Sequence, residues 1–155
     1  MSPNITTEQV KELRDATGIS VMQCRRALEE AGGNREKALA ILKKTSAEIA
    51  QKKASRELGA GYIEAYTHGE GRIGAMIELM CETDFVAKNE VFRALAKEIA
   101  MQVAATSPEN EQTLLESPFI KNPEQTVAGL IEEAVQKIGE RIKIGNFTRF
   151  EIPQK

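Results

Sequence analysis

The chain has 155 residues, which is enough for one ordinary domain or two small ones. It carries 21 basic and 23 acidic residues, and the resulting net charge of -2 argues against nucleic acid or an anionic membrane as the main partner. Hydrophobic residues make up 41% of the chain and charged residues 28%, as in soluble globular proteins, and no apolar run approaches the roughly 20 residues of a membrane span.

Three short helices are predicted at the start of the chain. Three residues are suited to cap their N-termini: Thr6, Ser20 and Asn34. Gly18 can take the left-handed conformation that ends the first helix, and Gly32-Gly33 ends the second. Because the connections are only a few residues long, the helices must fold back on one another. Residues 1–46 are therefore predicted to form a three-helix domain.

The hydrophobic period changes from helical to two after a polar segment rich in Ala and Lys. Residues 47–58 are interpreted as a helical or semi-rigid linker, and residues 59–155 as a second domain. Within that domain, strands are predicted over residues 62–67 and 73–82. The turn between them, His68-Gly69-Glu70-Gly71, offers two glycines for positive φ, so the pair is predicted to be a hairpin.

The remainder of the second domain alternates helix and strand. A helix is predicted from about Asn89 to Ala105, a loop over residues 109–122, and a last helix opened by Pro123. A closing strand follows over residues 142–152, with these apolar positions: Ile142, Ile144, Phe150 and Ile152. The fold class is therefore α+β, with a three-helix module followed by a three-stranded antiparallel sheet packed with helices.

Few residues in the chain suit an enzyme. His68 is the only histidine, which excludes a metal site built from several histidines. Cys24 and Cys81 are far apart in apolar patterns, so they are interpreted as buried thiols in a reducing compartment. No glycine loop suited to phosphate is present. An interaction protein, with no catalytic residue, cofactor or metal site, is favoured over an enzyme.

One segment fits neither periodic pattern. Residues 83–88 connect the second strand to the following helix and place Phe85 beside Asp84. Phe85 could fold back and staple the helix to the sheet. It could instead be an exposed aromatic beside a carboxylate, which is a common form of binding hot spot. Spacing alone leaves both interpretations open.

The segment Thr83-Asp84-Phe85-Val86-Ala87-Lys88-Asn89 is similar to the signature of the translation elongation factor Ts family. Other parts of the chain resemble the same family in the same order: residues 10–18, 24–28, 72–74, 137–142 and 147–150. Each match is weak by itself, but the ordered set spans nearly the whole chain and is highly specific.

This resemblance implies guanine-nucleotide exchange on elongation factor Tu, in its GDP-bound and nucleotide-free forms. It implies an N-terminal module like a ubiquitin-associated domain. It also implies that Phe85 wedges between helices of the GTPase and displaces a helix that helps to hold magnesium, with Asp84 as its polar neighbour. Thr83 and Val86 would shape and seat the segment.

The resemblance implies further contacts with the GTPase. Ile138 and Gly139 match a second family contact, and Arg14, Val21 and Met22 match positions in the N-terminal module. Many family members carry a longer insertion where this chain has only residues 106–113, and short forms can use a homodimer to replace the missing half. We therefore expect self-association as a homodimer, and a bacterial cytoplasmic location ahead of an organellar matrix or stroma.

Two other functions remain open. Thr17-Gly18-Ile19 occupies the loop that often carries the binding motif of ubiquitin-associated modules, so the chain could be an adaptor that binds ubiquitin. An RNA-binding α+β domain is a weaker alternative, because the net charge is near zero and the predicted strands lack aromatic and basic alternation.

Overall fold

The structure is a computed structural model that describes residues 4–154. Within that range it has these helices: α1 (Thr7–Thr17), α2 (Val21–Glu30), α3 (Arg35–Lys53), α4 (Asp84–Ala87), α5 (Glu90–Thr106), α6 (Glu111–Glu116) and α7 (Val127–Ile138). Its strands are β1 (Ala60–His68), β2 (Ile73–Cys81), β3 (Pro118–Phe119), β4 (Asn122–Thr126) and β5 (Lys143–Glu151). The predicted α+β class is confirmed. Among the described residues, no helix is long and apolar enough to cross a membrane.

The first three helices form a small module with its own core. Thr6, Ser20 and Asn34 each accept a hydrogen bond from a backbone amide in the first turn of the helix that follows. Gly18 ends α1 with a φ of 70°. The buried residues of the module are Val10, Leu13, Ile19, Cys24, Ala27, Leu28, Ala38 and Leu42. The predicted three-helix arrangement is confirmed.

The third helix continues past the predicted domain boundary at residue 46 and packs on the second domain. Ser46 is 1% exposed, and its hydroxyl hydrogen-bonds the side-chain oxygen of Gln136 on α7. Ile49 and Ala50 lie against the core of the second domain. The first part of residues 47–58 is therefore helical and fixed by packing. Independent folding of the two domains stays a prediction.

The main sheet has the strand order β1-β2-β5 and is antiparallel throughout. The predicted hairpin is confirmed, with Ala60 opposite Cys81 and His68 opposite Ile73. Alternate residues of the central strand face the helices and are buried: Ala75, Ile77, Leu79 and Cys81. They pack against α5 and α7 in one hydrophobic core. The opposite face of the sheet exposes Ile63 and Met76.

A bulge in β5 changes which of its side chains face the core. Ile77 lies opposite Phe147, whereas Leu79 lies opposite Ile144, so three steps along β5 match two along β2. Strict alternation would place Phe150 on the same face as Ile144. Because the bulge reverses the faces, Ile144 is buried and Phe150 is 73% exposed.

The segment between α5 and α7 differs from its prediction. Residues 109–122 contain α6 and β3 rather than a loop, and Pro123 lies within β4 rather than opening the last helix. The helix α7 instead begins at Val127, where the Thr126 hydroxyl accepts a hydrogen bond from the amide of Gly129. The buried amide of Gln102 on α5 organises this segment through hydrogen bonds to Ser117, Pro118 and Ile120.

Candidate functional site

Phe85 lies in α4, a one-turn helix that follows directly on the central strand. It is 88% exposed, whereas the next residues, Val86 and Ala87, are buried in the core. Thr83 caps this turn by accepting a hydrogen bond from the amide of Val86 at 3.3 Å. The interpretation of Phe85 as a staple between helix and sheet is therefore wrong, because the burial that a staple needs is supplied by Val86. The sequence-predicted segment presents an aromatic side chain to solvent.

The end of α4 is held by the first turn of α5. The carbonyl of Ala87 accepts a hydrogen bond of 3.1 Å from the guanidinium Nε of Arg93. The same guanidinium group lies over the ring of Tyr62 on β1, 4.4 Å from its centre. Asn89 caps α5 through the amides of Val91 and Phe92. Both ends of the Phe85 turn are thus attached to rigid elements.

The segment that carries Ile138 and Gly139 lies beside Thr83. The carboxylate of Glu140 accepts hydrogen bonds from the amides of Glu82 and Thr83, at 3.1 and 3.0 Å. It also accepts one from the Thr83 hydroxyl, at 2.7 Å. The two predicted contact segments, 83–86 and 138–139, are therefore joined in the fold.

A second carboxylate, next to the other of the two contact segments, also joins these segments. Glu82 accepts a hydrogen bond of 2.7 Å from the amide of Arg141 and forms an ion pair of 3.5 Å with Arg56. The Lys53 ammonium group donates to the carbonyl of Gly139 at 2.6 Å. The connection after α3 is thereby attached to both contact segments. Sequence reasoning missed Glu82 and Glu140 because a carboxylate in a polar connection is normally solvated.

Gly139 and Ile138 have different environments at the end of α7. Gly139 is exposed and ends the helix with a φ of 88°, a conformation that glycine adopts without strain. Ile138 is half-buried and packs against the main core. The site of contact that the family resemblance implies is therefore a helix end with an accessible backbone.

The predicted contact residues of the N-terminal module lie at one end of it. Arg14 is in the last turn of α1, and Val21 and Met22 open α2 with exposed fractions of 50% and 66%. The turn between these helices touches α7, since a Cβ atom on Gly18 would lie 2.6 Å from Cε of Lys137. A continuous chain of contacts thus runs from this turn along the end of α7 to Thr83.

The loop that the ubiquitin-adaptor alternative requires is largely inaccessible. Thr17 and Ile19 are buried within the three-helix module, at 5% and 3% exposure. The hydroxyl of Thr17 is occupied by a hydrogen bond of 2.8 Å to the carbonyl of Leu13. Gly18 is the exposed residue of this loop, and Lys137 lies against it. The loop offers little side-chain surface to a second protein.

The residues considered for catalysis are not grouped. Cys24 and Cys81 are both buried free thiols. Burial raises the pKa of the Cys81 thiol, and the nearby Glu140 carboxylate raises it further, which keeps the sulfur protonated. His68 is exposed at the end of β1, where Nδ1 lies 2.9 Å from the hydroxyl of Tyr66. Within residues 4–154, no three His, Cys, Asp or Glu side chains are placed to hold a metal ion.

Comparisons with known proteins find relatives along nearly the whole chain. The model of the family described as Elongation factor TS matches residues 82–155. The chain is 42% identical to an elongation factor Ts of Carboxydothermus hydrogenoformans, with 96% of this chain and 89% of the relative covered. It is 41% identical to an elongation factor Ts of Thermodesulfovibrio yellowstonii, with 97% of each chain covered. The chain belongs to the elongation factor Ts family. Its place is thus in the elongation stage of protein synthesis.

This member of the elongation factor Ts family is shorter than its relatives within the matched region. The alignment with the Carboxydothermus hydrogenoformans protein runs over 193 residues, whereas this chain has 155 in total. The relative therefore carries at least 38 residues that have no counterpart here. Residues 107–110 connect α5 directly to α6.

Proposed function

We propose that this chain is a guanine-nucleotide exchange factor for elongation factor Tu and promotes GDP release by displacing magnesium through residues 83–86. The observation that carries the proposal is the 88% exposure of Phe85 on a turn that Thr83 caps and that the buried residues Val86 and Ala87 anchor to the core. Exposure of a large aromatic side chain to water is energetically unfavourable in the free protein. Burial in a partner removes that cost, which is the character of a binding hot spot.

The proposed mechanism needs no covalent step. Magnesium neutralises charge on the phosphates of the bound GDP, so a wedge that moves its supporting helix weakens nucleotide binding. Asp84 lies next to Phe85 in the first turn of α4 and would be its polar neighbour in the complex. Because coupling between two ligands is reciprocal, GDP lowers the affinity for the factor by the same ratio as the factor lowers the affinity for GDP. Incoming GTP then expels the factor.

The remaining predicted contacts would dock the factor on the GTPase. Ile138 and Gly139 are joined to the Phe85 turn through Glu140. Val21 and Met22 are exposed apolar residues at the end of the module that touches α7. This connected arrangement supports simultaneous contact of all three sets with one partner. We place that encounter in the bacterial cytoplasm.

Self-association through the outer face of the sheet is the second part of the proposal. This face exposes three large apolar side chains, Ile63, Met76 and Phe150, and no helix covers it among the described residues. It also carries one carboxylate, on Glu78, and one ammonium group, on Lys143. Charges of both signs on an apolar face suit a two-fold contact with a second copy, in which each charge meets its opposite.

Release of a fluorescent GDP analogue from elongation factor Tu tests the exchange proposal. We expect the chain to accelerate release by orders of magnitude when magnesium is present. With magnesium removed by a chelator, spontaneous release becomes fast and the chain should add little. Absence of acceleration at any magnesium concentration would refute exchange activity. Equal acceleration with and without magnesium would leave exchange standing but reject magnesium displacement.

A further inference from the structure

We propose that Glu140 is a positioning residue, which holds the Phe85 turn in its binding conformation before the partner arrives. The inference rests on the proposed exchange function and adds a residue to it. The carboxylate of Glu140 points toward the protein and accepts hydrogen bonds from the amides of Glu82 and Thr83 and from the Thr83 hydroxyl.

The Phe85 turn has little capacity to hold itself. The helix α4 has four residues, and a single helical turn is unstable alone because nucleation of a helix is unfavourable. Phe85 contributes no burial that would fix the turn, since 88% of it is exposed. Pairing of β2 with β1 ends at Cys81, which leaves the amides of Glu82 and Thr83 without partners in the sheet. An outside acceptor must supply their hydrogen bonds.

Glu140 supplies all of the missing acceptors at once. Its Oε1 accepts from both amides, and its Oε2 accepts from the Thr83 hydroxyl at 2.7 Å. That hydroxyl is the same one that caps α4 by accepting from Val86. Charged acceptors form stronger hydrogen bonds than neutral ones. The carboxylate therefore fixes both the path of the chain into the turn and the orientation of its cap.

The contact also fixes the turn relative to the second binding segment. Glu140 directly follows Gly139, and the carboxylate of Glu82 in turn accepts a hydrogen bond of 2.7 Å from the Arg141 amide. The carboxylates of Glu140 and Glu82 thus each bind the backbone of the other segment, and together they hold two segments that are 57 residues apart in a fixed relative position. A partner that contacts both segments meets them already in position. Such preorganisation raises affinity by reducing the ordering cost of binding.

Three variants of the full chain test this role. Glu140→Ala removes every acceptor. Glu140→Gln keeps an oxygen for the two amides and can donate from its nitrogen to the Thr83 hydroxyl. Glu133→Ala is the matched control, because Glu133 is another glutamate close in the chain, in α7, and no hydrogen bond of its side chain is found among the described residues.

The first measurement is independent of the GTPase. Amide hydrogen exchange of the free protein, followed by NMR, should show that Glu140→Ala lowers the protection of the Glu82 and Thr83 amides by about tenfold or more. The amides of Ile77 and Leu79 in the core should keep their protection. Unchanged protection at residues 82 and 83 would overturn the proposal, whatever the result with the GTPase.

The second measurement separates affinity from maximal rate. In the nucleotide-release assay, Glu140→Ala should raise the half-saturating concentration of the factor by about tenfold, with the maximal rate within about twofold of wild type. Glu140→Gln should restore most of the affinity, and Glu133→Ala should behave as wild type. A lowered maximal rate with unchanged half-saturation would reject preorganisation. A wild-type protein that fails to stimulate release refutes the proposed function alone, since the amide protection still decides the role of Glu140.

Discussion

The side-chain amide of Gln136 connects the two parts of the chain. Its nitrogen donates a hydrogen bond of 3.1 Å to the side-chain oxygen of Gln23 on α2, 113 residues earlier. Its oxygen accepts from the hydroxyl of Ser46 on α3. One residue of α7 thus contacts two helices of the N-terminal module. The orientation of that module, and with it the position of Val21 and Met22, is set by specific polar contacts.

We predict that Ser46 and Gln136 are energetically coupled. Ser46→Ala leaves the side-chain oxygen of the half-buried Gln136 without its hydrogen-bond donor, and Gln136→Ala leaves the Ser46 hydroxyl without its acceptor. Each of these two substitutions alone should lower the free energy of unfolding by about 1–2 kcal/mol. The double variant should be less destabilised than the sum of the two. Denaturant unfolding in a double-mutant cycle measures this coupling. Additive effects would show that Ser46 and Gln136 are not coupled.

Removal of the N-terminal module tests the same interface at the level of the domain. A fragment that begins near Gln51 should keep the sheet and its core but lose the cover that α3 gives to α7. We expect it to melt at a lower temperature and to bind the GTPase more weakly, because Arg14 and Met22 are absent. Circular dichroism and titration calorimetry measure the two effects. Binding as tight as that of the full chain would reject docking by the module.

The central strand provides a direct test of the fold. Ile77 is fully buried and Met76, its neighbour, is 48% exposed on the other face. Ile77→Asp should cost several kcal/mol, because it buries an unpaired carboxylate. At protein concentrations low enough to keep the chain monomeric, Met76→Asp should leave the free energy of unfolding within about 1 kcal/mol of wild type. Similar effects of the two substitutions in denaturant unfolding would contradict the assigned faces.

Substitutions of Phe85 in α4 and of Phe92 in α5 distinguish a role in binding from a role in core packing. Phe85→Ala should remove most of the stimulated GDP release and change stability by less than about 0.5 kcal/mol, because the side chain is exposed. Phe92→Ala should cost about 3–5 kcal/mol, because that side chain is fully buried. Asp84→Asn should reduce release less than Phe85→Ala does if packing dominates over charge. Normal exchange by a stable Phe85→Ala protein would exclude the wedge.

The pH dependence of stability should carry a contribution from Glu132. Burial raises the pKa of this carboxyl, and Lys43 partly opposes the shift. The folded state therefore holds the proton of Glu132 more tightly than the unfolded state does. The resulting contribution of Glu132 to the free energy of unfolding is fully present at a pH below the unfolded-state pKa, and it is lost as the pH rises through the folded-state pKa. Glu132→Gln should melt slightly above wild type at pH 7, and the difference should vanish near pH 4. Glu133→Gln controls for the loss of one charge.

Self-association should depend on the outer face of the sheet. Sedimentation velocity over a range of concentrations should show dimers of the wild-type chain. Phe150→Ser should shift the protein to monomers, because Phe150 is 73% exposed on that face. Phe85→Ala, which removes an equally large exposed aromatic in a different element, should leave the dimer intact. A wild-type chain that stays monomeric throughout would refute the self-association proposal.

The elements with local signals were predictable from the sequence. The capping residues Thr6, Ser20 and Asn34 act through backbone amides three residues away, and the hairpin follows from alternation on either side of a glycine turn. Each of these features is decided within a few residues of the chain. The prediction of a helix opened by Pro123 is wrong, because Asn122 pairs with Phe119 and Thr126 pairs with Pro118, and this strand pair overrides the local preference of proline.

The sequence by itself determined the family, the fold class and the segment that carries Phe85. Only the tertiary structure decided that Phe85 is exposed, because its neighbour Val86 takes the buried position. It also decided the faces of β5, through a bulge that strict alternation does not reveal. The partnership of Glu140 with Thr83 joins residues 57 apart, and no local pattern specifies a contact at that separation. Local sequence signals determine which residues form each helix or strand, whereas the contacts between these elements depend on how their buried faces pack.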